Sequence, residues 1–264
     1  MAYKVGGTNQ AVMRQTVEQR EAILKRAASL EDAGELSRLL TAAMRDPSPF
    51  VRTEAIEIAA KNQVEAVIPA IERLLKDRNE MVRFTAVECL GSMGTGHVRS
   101  IRSLLRDRSF LVRIETLEAL ALLNDHGALP GMAKLLSDDN PLVRAYAATS
   151  IAGVPGVFCV QAIHNAFDKE KDDTARAGFL LALLMLGRNE FFEAFLDLLS
   201  SANYRVRCYV ANGLGGLPLN QSQLESAIKA LSRAKRHAIA RADRTSIASV
   251  LTELKIEVSG QKHA

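Results

Sequence analysis

The chain has 264 residues, 48% hydrophobic and 24% charged, with no tryptophan. Only 16 glycines and 7 prolines punctuate it, and Ala, Leu, Arg and Glu dominate, which excludes a turn-rich all-β fold and favours helix. The net charge is +4, and the whole excess lies from Gln221 to Ala264, where eight Lys/Arg face four Asp/Glu; residues 1–220 are balanced.

No segment is apolar over the length a membrane helix needs, and Met1 to Gln10 does not read as a secretory leader. Three widely spaced cysteines do not form a disulfide framework. A cytoplasmic, reduced setting is expected, with no membrane association.

Residues 1–34 contain an amphipathic, charged stretch from Val12 to Leu30, which predicts one or two capping helices. Residues 35–217 then repeat. Val-Arg recurs at Val51-Arg52, Val82-Arg83, Val112-Arg113, Val143-Arg144 and Val206-Arg207, with Ala175-Arg176 in the gap. The arginines are spaced by 31, 30, 31, 32 and 31 residues. Asp46, Asp77, Asp107 and Asp138 each lie six residues before one of them. An apolar residue stands four and eight places after most repeat valines, for example Ala55 and Ala59, Ala86 and Leu90, Ala147 and Ile151. Those positions share one helical face. Each repeat therefore reads as helix A, a polar turn, then helix B opening at Val-Arg. Such a pair cannot bury its apolar face alone, and stacking does it. Residues 218–264 predict a further basic helical pair as a C-terminal cap, with Glu257 to Ala264 expected to be disordered.

The pattern D-x-x-x-x-V-R-x-x-A-x-x-x-L resembles HEAT repeats, most closely the short variety named after the phycobiliprotein lyases. The resemblance covers about Glu35 to Leu217, six repeats. It implies an all-α fold: an α-solenoid superhelix of HEAT-like helix pairs with N- and C-terminal capping helices. The fifth repeat departs in its turn, Asp168 to Asp173, and the sixth has Ser201 where Asp is expected. The resemblance also implies a structural ladder, in which each arginine bonds the turn aspartate and its neighbours: Asp46, Arg52, Asp77, Arg83, Asp107, Arg113, Asp138, Arg144, Arg176 and Arg207. An arginine fork suits a carboxylate partner.

Chemistry is sparse. Some proteins on this scaffold ligate iron through His-Glu dipeptides, and none occurs here. DNA glycosylases of this scaffold rely on tryptophan, which is absent. No Cys-x-x-Cys, His-Glu-x-x-His, Walker loop or Gly-x-Ser-x-Gly is present. No enzyme activity, cofactor or metal is expected. Cys89 and Cys159 read as packed, and Cys208 as outward-facing.

The outward face of the B helices is more informative. Counting from each repeat valine, positions 2, 3, 6 and 10 lie opposite the core. They hold Glu54, Glu57, Glu88, Glu115 and Glu118 in the first three repeats, and Tyr146, Leu181, Met185, Tyr209 and Asn212 in the last three. An acidic stripe beside a neutral, partly apolar half suits a protein partner with a basic surface. Nucleic acid is not expected in that groove, because phosphate needs the opposite charge. The expected function is a non-catalytic, monomeric scaffold or adaptor, such as an assembly chaperone or a toxin-neutralising immunity protein. Two alternatives stand beside it. One is a lyase-like subunit handling a bilin, which the repeat type implies. The other is a nucleic-acid binder using basic residues of the tail, or Arg99, Arg102, Arg106 and Arg108.

Overall fold

The computed structural model describes residues 16–27, 32–156, 160–238 and 240–261. Among these residues the structure is entirely helical: fifteen α-helices, joined by turns and short 3-10 segments. Two compact units divide the chain, Met1–Ala128 and Leu129–Ala264.

The first unit contains α1 (Val17–Ala27), α2 (Ala33–Ala43), α3 (Pro49–Lys61), α4 (Ile68–Leu74), α5 (Glu80–Ser92), α6 (Val98–Arg102) and α7 (Phe110–Leu122). The A helices are α2, α4 and α6; the B helices α3, α5 and α7 pack on one another in succession, and α1 packs on α3. Val51, Ala55, Ala59, Val82, Ala86, Leu90, Val112 and Leu120 are completely buried. Each large aliphatic side chain so buried contributes about 1.5–3 kcal/mol. Thr116 occupies an apolar slot by donating its hydroxyl to the Val112 carbonyl at 2.6 Å.

The second unit contains α8 (Leu129–Lys134), α9 (Pro141–Gly153), α10 (Val160–Phe167), α11 (Asp173–Met185), α12 (Phe192–Asp197), α13 (Tyr204–Gly215), α14 (Gln221–His237) and α15 (Arg241–Gln261). Here α9, α11, α13 and α15 pack in succession. One core holds Phe195, Val206, Val210 and Leu214 together with Leu224, Leu231, Ile247 and Leu251, so the terminal helices complete the sixth repeat. The helix α15 runs to Gln261, which corrects the expectation of disorder from Glu257. Val250, Leu251 and Leu254 are buried on one face of it, and the helix is extended from that anchored segment. Residues 1–15, including the start of the Val12–Leu30 stretch, and Cys159 lie outside the described residues.

Local chemistry sets both ends of the B helices. Asn79, Asn140 and Asp172 cap α5, α9 and α11, each accepting from two backbone N–H groups. Past the other end, Gln63, Gly94, Asn124, Gly156 and Gly187 all have positive φ, at nearly the repeat spacing. A left-handed residue there ends the helix and turns the chain into the next repeat.

Candidate functional site

The ladder expectation was that each arginine bonds the turn aspartate and its neighbours. The geometry shows which atoms do so. Each arginine donates to the main-chain carbonyl of that residue: Arg52 to Asp46 at 2.7 Å, Arg83 to Asp77 at 2.8 Å, Arg113 to Asp107 at 2.8 Å and Arg144 to Asp138 at 2.7 Å. Arg176 and Arg207 do the same with Glu170 (3.1 Å) and Ser201 (2.5 Å). The carboxylate receives the arginine of the helix two before it, the B-type helix one step back in the stack. Arg20 pairs with Asp46, Arg52 with Asp77, Arg83 with Asp107, Arg144 with Glu170 and Arg207 with Asp243. The same carboxylates accept from the backbone two residues on, as Asp77 does from Asn79 and Asp107 from Ser109, both at 2.8 Å. One acidic residue thus shapes its own turn and anchors the arginine of the repeat before, while its carbonyl accepts from the arginine six residues on.

Three ladder members were not foreseen. Glu170 stands six residues before Arg176, so accepting Glu for Asp would have found it. Arg20 and Asp243 lie in the capping helices, and Asp243 is completely buried. Arg20 stands 32 residues before Arg52, so carrying the arginine series one step towards the N-terminus would have found it, whereas no repeat spacing points to Asp243.

Of the ten side chains assigned to the outward face, five are exposed and five are half-buried. In the first unit Glu57, Glu88 and Glu118 are exposed, and Glu54 and Glu115 are half-buried. Lys25 of α1 approaches Glu54 at 3.7 Å. Burial pushes the Glu115 carboxyl up to about 7, with Glu118 and Glu88 adding like-charge repulsion. Burial also raises Glu118, and burial with repulsion from Glu54 and Glu88 raises Glu57 against the opposing effect of Lys25. Three carboxyls of this patch, Glu57 on α3 and Glu115 and Glu118 on α7, are thus held above the ordinary carboxylate range.

In the second unit Tyr146 and Tyr209 are half-buried and meet edge to face, ring centroids 6.4 Å apart. Leu181 is half-buried, and a Cβ at Gly213 would touch it. Met185 and Asn212 are exposed.

Position 2 departs from its assignment. Ile114, Ala145 and Ala177 are buried, as are Thr85 and Gly178 at position 3. Successive B helices come close enough to cover them: a Cβ on Gly178 would lie 2.3 Å from the Ala145 Cα. Cys208 is half-buried rather than outward. Cys89 is buried, and burial pushes its thiol up to about 11. Arg102 and Arg108 of the basic edge are engaged, Arg102 by Asp125 at 2.5 Å and Arg108 by the Arg78 carbonyl at 2.7 Å.

No group of His, Cys, Asp or Glu among the described residues has the arrangement of a metal site. No described helix is long and apolar enough to cross a membrane.

A family model for HEAT repeats matches residues 36–105 and 98–183, more than half of the chain. The chain belongs to the HEAT-repeat family. No curated protein matches it in sequence. Among solved structures it is similar to the complex of CpcE and CpcF of phycocyanin lyase from Nostoc sp. PCC7120. There the identity is 18%, the coverage 83% of this chain and 94% of that one, and the TM-score 0.58. It is also similar to YibA of Escherichia coli, at 14% identity, 90% and 98% coverage and TM-score 0.52. The structure of Kap95p with RanGDP matches at 14% identity and TM-score 0.57, over 93% of this chain and 41% of that one. At these identities the likeness is one of fold.

Proposed function

We propose that this protein is a non-catalytic scaffold that holds a protein partner by a basic segment laid over the glutamates of α3, α5 and α7. The observation that carries the reading is the set Glu54, Glu57, Glu88, Glu115 and Glu118, in which burial holds Glu57, Glu115 and Glu118 above their ordinary pKa and neighbouring carboxylates add repulsion at Glu57 and Glu115. Clustered like charge is unfavourable in the free protein, and lysines or arginines from a partner relieve it. The second unit by itself carries a half-buried tyrosine pair, an aromatic feature of the kind protein partners use. Kap95p, which shares the fold, is itself a binder of another protein, RanGDP. An assembly chaperone or a toxin-neutralising immunity protein is the role such a clamp fits.

The test compares the wild-type chain with Glu57→Gln/Glu88→Gln/Glu118→Gln against an unstructured lysine-rich peptide and in affinity capture from native lysate. The triple variant should bind the peptide more weakly, with a flatter salt dependence, and should lose the captured partner. Unchanged affinity and salt slope in the variant would reduce the glutamates to solvated surface.

A further inference from the structure

Resting on that reading, we infer that the segment received by α3, α5 and α7 is an amphipathic basic α-helix lying across the three helices, with apolar residues recurring about every seventh position.

The motivating feature is a second row beside the glutamates. Phe50, Met81 and Leu111 occupy the residue before the repeat valine in three consecutive B helices, and they are 71%, 49% and 37% exposed. Large apolar side chains at one equivalent position in adjacent repeats form a continuous stripe rather than scattered exposure. The stripe shares the glutamates' face: steps of four, three and four residues lead from Phe50 through Glu54 and Glu57 to Lys61, and from Leu111 through Glu115 and Glu118 to Leu122. Leu122 is itself 71% exposed. The surface offered by the first unit is therefore banded, apolar along the helix N-termini and acidic along their middles. The occupant needs one apolar line and one cationic line running side by side.

The spacing selects its conformation. Packed helices lie about 10 Å apart. An α-helix rises about 1.5 Å per residue, so a helix crossing the stack meets successive repeats about every seven residues, close to two full turns. The same side of the occupant then faces every repeat. An extended strand advances about 3.3 Å per residue and meets each repeat every third residue, so alternate repeats would see opposite faces. A single strand cannot keep both bands satisfied over three repeats, and a helix can.

The probe is a synthetic helix of about three heptads, with a leucine at every seventh position and a lysine three or four places after each. Its control is an isomer of equal helicity with leucines and lysines spread around the helix. Binding to the full chain is measured by calorimetry, and peptide helicity by circular dichroism. The banded peptide should bind about tenfold more tightly than its isomer and gain helix on binding. Phe50→Ser/Met81→Ser/Leu111→Ser should erase that advantage while leaving salt dependence, and these side chains are exposed enough for the fold to persist. If both peptides bind equally, or the bound peptide is not helical, while the glutamate triple variant still abolishes salt-dependent binding, the helix inference falls and the acidic scaffold reading stands. If that triple variant changes nothing for any basic peptide, both fall.

Discussion

Arg83 and Asp107 belong to adjacent repeats and form a two-pronged ion pair, Nε to Oδ2 at 2.7 Å and Nη2 to Oδ1 at 2.6 Å. The remaining prong, Nη1, holds the Asp77 carbonyl in its own turn at 2.8 Å. Both side chains are buried, so the guanidinium closes one turn and fastens the next with a single group. The repeats are connected by charge as well as by apolar packing.

Arg83→Ala should therefore destabilise the first unit by about 3 kcal/mol, because it strands a buried carboxylate and a carbonyl together. Arg83→Lys should recover only part of this, since an ammonium cannot make the fork. Chemical denaturation followed by circular dichroism measures both. A loss confined to ligand binding, with stability unchanged, would contradict the structural role.

Gly178→Ala should lower stability although alanine is the better helix former by about 1 kcal/mol. The new Cβ would meet the Ala145 Cα at 2.3 Å and its Cβ at 2.4 Å, and backbone cannot step aside as a flexible side chain does. Gly153→Ala, where nothing lies within 4 Å, is the matched control and should be neutral or stabilising. Thermal unfolding of the two variants decides between close helix packing and an incidental glycine.

Glu115 should impose a pH dependence on folding. Its folded-state pKa of about 7 lies above the ordinary 4.5 of a glutamate, so the fold favours the protonated form. The stabilisation is complete below about pH 4.5 and is lost as the pH rises through 7. Glu115→Gln should remove this slope and raise stability at pH 8 by about 1 kcal/mol, the effect being moderated because the group is half-exposed. Denaturation midpoints across that range test it, and equal slopes in the two proteins would refute it.

Association with a lysine-rich peptide should strengthen as pH rises from 5 to 8, opposite in sign to the Glu115 contribution to folding. Glu57, Glu115 and Glu118 ionise late, and their full charge is available only above the interval in which they titrate. The binding constant against pH, compared with that of Glu57→Gln/Glu88→Gln/Glu118→Gln, measures the share carried by the cluster. A flat profile in the wild-type chain would show that the carboxylates do not meet the ligand.

The repeat was legible from residues alone because a helix pair writes its requirements locally. Val51, Ala55 and Ala59 share a face through the 3.6-residue period, and the turn needs a polar residue such as Asp46 at a set distance before Arg52. The exposure of Glu57, Glu88 and Glu118 followed from the same period. So would the row of Phe50, Met81 and Leu111, had the residue before each valine been placed on that face. What helical periodicity could not supply was the identity of neighbours across a stack. Asp107 answers to Arg83 rather than to the side chain of Arg113, Asp243 closes the series from within a capping helix, and Ala145 is buried because Gly178 lets α11 approach α9. A helix's period assigns faces relative to its own axis. Which atoms meet depends on the offset and distance between helices, set by side-chain volume and hydrogen-bond reach in three dimensions, and only the tertiary structure decided those.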